Sequence, residues 1–393
     1  MPLSQLEFMG RLVNCAYRNV GNRPNHGSTP DVLRAHALSV GLQQKLRCGV
    51  VGAGWWATYA HLPALVGHPR AEVAAIQKRS LDEARRVAAD FDVPKVFADY
   101  RELLEEPLDA VVIASSPNLH YEQALAAIAR GLHVLVEKPM TITSAQAAHL
   151  VAAAGQAGVQ LLISCPWHYT AHGCIARKLI ASGRLGEIRM VSVLMTNPVD
   201  HLIRGIQNSV TYGTPYMMPH AETYSDPAIA GGGQIYAQVS HAAAYLTFLT
   251  GSRPAEVFAR FHNDGCAMDI YDVISVRMES GCLASIASTG ATPTTRRDYE
   301  VRVFGTRGVL FLDLWNGKMQ LAPSDGSAPV DYHDLPANET YPDRAPAIDL
   351  VDSILENRAN RSPGSLGLAS MELIEAACES ARTGANITVR RCD

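Results

Sequence analysis

The stretch GGGQIYAQVSHAAAY at 231–245 holds an unusual set of neutral hydrogen-bonding side chains. A helix over 234–246 puts Gln234, Gln238, His241 and Tyr245 on one face. Two amides, an imidazole and a phenol suit a ligand with several uncharged hydroxyls, which need paired donors and acceptors. An unperturbed imidazole titrates near pH ~6.5, so His241 is the candidate general base for a hydroxyl proton. The plainer reading of His241 is a satisfied helix residue, and Gln234, Gln238 and Tyr245 are candidate substrate contacts.

A second constellation is GVVGAGWWA at 49–57. Gly52, Gly54 and Ala57 make G-x-G-x-x-A directly after a short apolar strand. The first glycine permits a tight turn, and the second lets a pyrophosphate approach the backbone. The small Ala57 lets helix and strand pack closely, and the helix N-terminus attracts phosphate. The backbone of Trp55 and Trp56 is placed to meet phosphate, and their rings either cover a cofactor or pack. The next strand ends in IQKRS. Lys78 and Arg79 are cationic and Ser80 is a small donor, a trio that attracts a 2′-phosphate, so NADP is favoured over NAD. The alternative is a solvated basic pair that opens a helix.

These residues need a scaffold. CGVVGAG, AEVAAI, DAVVIAS, HVLVEK and VQLLIS read as strands, with LDEARRVAADF, YEQALAAIARG and SAQAAHLVAAAGQAG as helices between them. That alternation predicts a parallel sheet with right-handed crossovers. After Gly183 the rhythm changes. IRMVSVLM, EVFARFH, DVISVRME, CLASIAST, YEVRVFG and GVLFLD are strands with few helices between, the pattern of a mainly antiparallel sheet. Helices return in AIDLVDSILENR and MELIEAACESARTG. The expected organisation is α/β throughout: an extension or arm over 1–46, a dinucleotide-binding domain over 47–166, and a substrate-binding and oligomerisation domain over 167–393.

With 47% hydrophobic residues the 393-residue chain can build large cores. A net charge of −4 with no basic block argues against nucleic acid or an anionic membrane surface as partner. The eight cysteines form no C-x-x-C pair, so they read as reduced thiols of a cytoplasmic protein. No secretion signal or membrane span is read. His168 and His172 have the i,i+4 spacing of a metal clasp, but no third ligand is evident and no metal is expected.

At SPNLHYEQALAAIARGLHVLVEKPMTIT the sequence resembles the Gfo/Idh/MocA oxidoreductase family, of the glucose–fructose oxidoreductase and inositol dehydrogenase type. The match lies in Ser116-Pro117-Asn118, in His120 and above all in Glu137-Lys138-Pro139. ASGRLGEI at 181–188, the GGG and histidine of 231–241, and YEVRVFGTRG at 299–308 extend it over roughly 47–390. The resemblance implies a Rossmann domain followed by an α/β domain on an open, mainly antiparallel sheet through which members oligomerise, giving a dimer or tetramer. It implies that Lys138 is catalytic, polarising the substrate oxygen, and that the bond before Pro139 is cis. It places Ser116, Pro117, Asn118, His120 and Glu137 around the dinucleotide, with Glu137 structural or cofactor-facing rather than a proton carrier. WHYTAHGC at 167–174 replaces an Asn/Arg-rich stretch, and Trp167, His168 and Tyr169 are expected to line a sugar pocket. The chain also departs from the family pattern. Acidic residues usually stand four before and three after the histidine, and here those places hold Ala237 and Ala244.

The expected function is therefore an NAD(P)-dependent oxidoreductase moving hydride at a hydroxyl carbon of a sugar, glycoside or cyclitol. The missing carboxylates keep two alternatives open: a redox-neutral glycoside-modifying enzyme with tightly bound NAD, and a cofactor-binding regulator without catalysis.

Overall fold

A computed structural model describes residues 45–207, 215–292 and 296–391. All but the last two residues of the expected 1–46 arm therefore lie outside the described residues.

Short apolar runs form the first sheet. β1 (Leu46–Val51), β2 (Ala71–Gln77), β3 (Val96–Phe97), β4 (Ala110–Ile113), β5 (His133–Val136) and β6 (Leu161–Ile163) pair in the order β3-β2-β1-β4-β5-β6, all parallel. The residues of β4 are buried on both faces, as a strand covered by helices above and below must be. Helices α1 (Leu62–Val66), α2 (Leu81–Asp90), α3 (Pro117–Ala129) and α4 (Ser144–Ala157) make the crossovers. Strand order reverses between β1 and β4, and a doubly wound sheet binds its ligand outside the strand ends at such a point.

The second sheet alternates buried and exposed residues, most cleanly in β9. Its members are β7 (Ile188–Thr196), β8 (Pro254–His262), β9 (Tyr271–Met278), β10 (Leu283–Thr289), β11 (Asp298–Gly305), β12 (Gly308–Asp313), β13 (Lys318–Pro323), β14 (Val330–Asp331) and β15 (Ile387–Thr388). They run in the order β14-β13-β12-β11-β7-β10-β9-β8-β15, and only β7 and β10 are parallel neighbours. One face is packed under two helices introduced below, the first of them covered in turn by α5 (Ala171–Ala181), and the other face is exposed. The mixed, mainly antiparallel sheet agrees with the pattern after Gly183, although β13 and the edge strands β14 and β15 are not legible there.

The C-terminal segment crosses back. α8 (Ala345–Leu355) buries Ala347, Leu350 and Val351 in the first sheet's core, beside Val50, Ile76 and Val112. The chain between it and the last helix, α9 (Gly364–Thr383), extends the same attachment: Ile163 N–H donates to Ser362 O at 2.9 Å. Residues placed with the second domain by sequence order thus complete the first one's packing.

The helix expected over 234–246 is two helices. α6 (Gln234–Ala237) and α7 (Val239–Thr250) meet at Gln238, whose φ of −129° and ψ of −42° leave the helical region. The four neutral side chains therefore do not line one continuous face. The triple glycine before them has a specific cause: a Cβ on Gly233 would lie 2.1 Å from Asp269 O. The carboxylate of Asp269 accepts from Gly233 N–H at 3.0 Å and Ile235 N–H at 2.6 Å, and so caps α6 from the strand side.

Candidate active site

The glycine turn lies where β1 and β4 part. Gly52 has φ +79°, and a Cβ there would sit 2.5 Å from Ser115 N, so only glycine lets the two strand ends approach. A Cβ on Gly54 would meet only Gly52 O, at 3.9 Å, which leaves the room a diphosphate needs against the backbone. Ala57 is fully buried. Gln77, which the sequence did not single out, ties the turn to β2: its Oε1 accepts from Gly52 N–H at 3.1 Å and its Nε2 donates to Ala98 O at 2.7 Å. The geometry therefore fits a dinucleotide.

The basic trio after β2 has divided duties. Lys78 Nζ pairs with Glu83 at 3.2 Å, and Ser80 Oγ caps α2 by accepting from Glu83 N–H at 3.3 Å. Arg79 is exposed and makes no ion pair among the described residues. Ser116 precedes α3, Pro117 is its first residue, and Asn118 Oδ1 is buried without a partner among the described residues. His120 departs from the expectation of a cofactor contact. It is fully buried, with Nδ1 2.9 Å from Pro139 O and Nε2 3.0 Å from Ser115 O. Its ring braces two loops, and burial pushes its pKa below the usual imidazole value.

Glu137 and Lys138 follow β5, and the Lys138–Pro139 peptide is cis. Glu137 is buried, with Oε1 2.7 Å from His61 Nε2 and Oε2 accepting from Lys138 N–H at 3.2 Å. Burial alone would raise its pKa. Hydrogen bonds and charge from His61 and Lys138 outweigh that and hold it below the usual carboxylate range. His61 escaped the sequence reading: it stands on the helix leading from the glycine turn, and no local motif joins it to residue 137.

Lys138 Nζ donates to Ala237 O at 2.7 Å. In an unbroken helix that carbonyl would accept from His241 N–H, four residues on. Here His241 N–H donates to Gln238 O at 2.9 Å instead, and the break at Gln238 frees the Ala237 oxygen for the lysine. Burial lowers the Lys138 pKa, partly offset by Glu137. His241 is buried one turn beyond. Its pKa is pushed well below 6.5 by burial first and then by the positive charge of Lys138. Its Nδ1 has no partner among the described residues. A neutral imidazole and a buried amine are thus brought together by two different halves of the chain.

Four expected substrate contacts are instead held by the surrounding packing. Gln234 is fully buried and its Nε2 donates to Ser288 Oγ on β10 at 2.8 Å. Tyr245 is fully buried among Phe248, His168 and Tyr299. His168 stacks on Phe248 with ring centroids 4.5 Å apart, and its Nδ1 lies 2.8 Å from Ser362 Oγ; burial lowers its pKa to about 3. Tyr169 also turns away, donating to Asp349 Oδ2 at 3.1 Å. His172 donates to His333 O at 3.1 Å, so the two i,i+4 histidines serve separate partners. Each of these polar groups found an acceptor or an aromatic face supplied by tertiary packing. Trp167 lies against His241 with centroids 5.0 Å apart, and Gln238 is half-exposed at the break.

The comparisons agree with this architecture. Residues 46–164 match a family described as oxidoreductase family, NAD-binding Rossmann fold, and residues 175–311 match the GFO/IDH/MocA C-terminal domain. An uncharacterized oxidoreductase of Synechocystis sp. is 33% identical over 215 residues, which is 54% of this chain and 53% of that protein. A 1,5-anhydro-D-fructose reductase of Ensifer adhaerens is 31% identical over 244 residues, 61% of this chain and 67% of that one. The chain thus spans between about half and two thirds of these relatives' length. The crystal structure of an oxidoreductase domain protein from Kribbella flavida has the same fold, with a TM-score of 0.76 at 21% identity, covering 88% of this chain and 100% of that one. No described helix is long and apolar enough to cross a membrane.

Proposed function

This chain belongs to the Gfo/Idh/MocA family of NAD-binding oxidoreductases, and from that premise we propose that it moves a hydride between a nicotinamide dinucleotide and a hydroxyl-bearing carbon of a sugar, glycoside or cyclitol. The turn at Gly52 and Gly54 holds the diphosphate. Lys138 keeps one proton on Ala237 O and has two more to give to a substrate oxygen. The neutral His241 takes or returns the hydroxyl proton. The observation that carries the reading is the Lys138–Ala237 hydrogen bond, because it joins the end of β5 to the turn that bears His241. The anhydrofructose reductase similarity supports a sugar-type substrate.

Absorbance at 340 nm with a panel of sugars and cyclitols tests this. Reduction of added dinucleotide that is abolished by Lys138→Met supports it. Turnover of a glycoside without net reduction points to the redox-neutral alternative, and no turnover of any kind overturns the enzymatic reading. NADP remains our choice of cofactor, resting on Arg79 at the exposed end of β2. Arg79→Ala should weaken NADP and spare NAD, and equal losses would refute it.

We further read the open face of the second sheet as a contact between copies of the chain. Its register sets Met190 opposite Leu283 and Phe304, with exposed Leu194 and Val273 nearby. A monomer by light scattering would overturn this.

A further inference from the structure

Trp167 is the hub of an aromatic wall. It is 3% exposed, and its ring lies 5.2 Å from Trp315, 4.6 Å from Tyr341 and 5.0 Å from His241, centroid to centroid. Trp315 and Tyr341 are 5.5 Å apart, and Trp56 of the glycine turn lies 6.3 Å from Tyr341. The wall is drawn from four separate segments. It begins beside the candidate base and ends in the half-exposed rings of Trp56, Trp315 and Tyr341.

Its polar atoms share one feature. The indole Nε1 atoms of Trp56, Trp167 and Trp315 are buried and have no acceptor among the described residues. An indole N–H only donates, and a buried donor without a partner is disfavoured, so three in one cluster call for a ligand that brings acceptors. Acceptors set beside indole faces describe an uncharged ring with C–H faces and oxygens at its edge. A small apolar ligand would leave the N–H groups unmet. Arg297 lies over the Trp315 ring, 5.3 Å from its centroid, and adds donors for such oxygens at the outer end of the wall.

We propose that Trp56, Trp315 and Tyr341 form an outer subsite, continuous through Trp167 with the His241 site, that holds a second uncharged sugar ring of the substrate. This rests on the sugar-oxidoreductase reading and narrows the substrate class to glycosides of two or more rings. The inner ring meets Lys138 and His241, and the outer ring stacks on the wall with its oxygens accepting from the indoles.

The test uses the whole chain loaded with dinucleotide. Binding of glucose, maltose, cellobiose and trehalose is followed by tryptophan fluorescence and by calorimetry, so that turnover is not needed. At least one disaccharide should bind about tenfold or more tightly than glucose. Trp315→Phe keeps an aromatic face, though a smaller one, and loses the donor; it should weaken that disaccharide by about 3–10-fold and change glucose by less than about twofold. Trp56→Phe, on a separate segment, should do the same, and thermal unfolding identifies any variant that has lost its fold. Glucose bound as tightly as every disaccharide, or equal losses for both in each folded variant, overturns the outer subsite alone. Binding of none of the four sugars overturns the subsite together with the sugar reading beneath it.

Discussion

The amine of Lys138 and the main-chain carbonyl of Ala237 stand 2.7 Å apart, in a place where the family pattern leads one to expect a carboxylate. The chain meets the lysine with a backbone oxygen, released by the helix break at Gln238. A carbonyl carries only a partial charge, so it offsets the burial of the ammonium less than a carboxylate would. The lysine pKa is accordingly lowered.

Ala237→Asp should reverse this. A carboxylate beside Lys138 raises the amine's pKa, and the alkaline limb of the kcat/KM profile should move up by about one pH unit. An unmoved limb would mean that another group governs it.

His241 is held neutral by burial and by neighbouring positive charge. A lowered pKa keeps the base form populated below pH ~6.5, where an unperturbed imidazole begins to protonate. The kcat/KM for alcohol oxidation should therefore stay level as pH falls through 6.5 and decline only in more acid solution. His241→Asn should lower kcat by about 10²–10⁴-fold while leaving dinucleotide affinity within about twofold. Equal damage to cofactor binding would make the residue structural.

The two glycines of the turn should separate fold from cofactor. In Gly52→Ala the methyl meets Ser115 N at φ +79°, so stability should drop by about 1–3 kcal/mol along with dinucleotide affinity. Gly54→Ala has space in the protein and should unfold near the wild-type temperature, yet lose affinity at least about tenfold. Denaturation and dinucleotide titration of both variants check the contrast.

The buried pair of His61 and Glu137 invites a double-mutant cycle. His61→Leu strands the carboxylate and should cost about 3–5 kcal/mol, whereas His61→Leu with Glu137→Leu should cost markedly less than the sum. Urea unfolding measures each corner.

Asp272 is buried on β9, and its pKa is raised to about 9 by burial first and then by Asp269. The folded chain keeps this proton between pH ~4 and about 9, while the unfolded chain releases it near its usual value. The folded state thus binds more protons there, and stability falls as pH rises through that window. Asp272→Asn should remove that loss, giving a chain more stable than wild type at pH 8 and little changed at pH 4. Thermal unfolding at both values decides it.

The sequence by itself determined the elements and their class. Apolar strands alternating with helices, then strands with alternating burial, follow from local periodicity, and so does the glycine turn after β1. The Glu137-Lys138-Pro139 landmark was legible for the same reason, since all its information is local. Tertiary structure alone decided who meets whom. His61 reaches Glu137 across 76 residues and Lys138 reaches Ala237 across 99. Nothing in QIYAQVSH marks a break at Gln238, because neither proline nor glycine stands there. The break shows in the fold beside a competing hydrogen bond, in which a buried amine takes the carbonyl that would otherwise accept from His241. Gln234 lost its expected role by the same physics, bonding to the Ser288 hydroxyl that the fold brings within reach, and Tyr245 lost its role to packing among aromatic rings; periodicity cannot say what those neighbours will be.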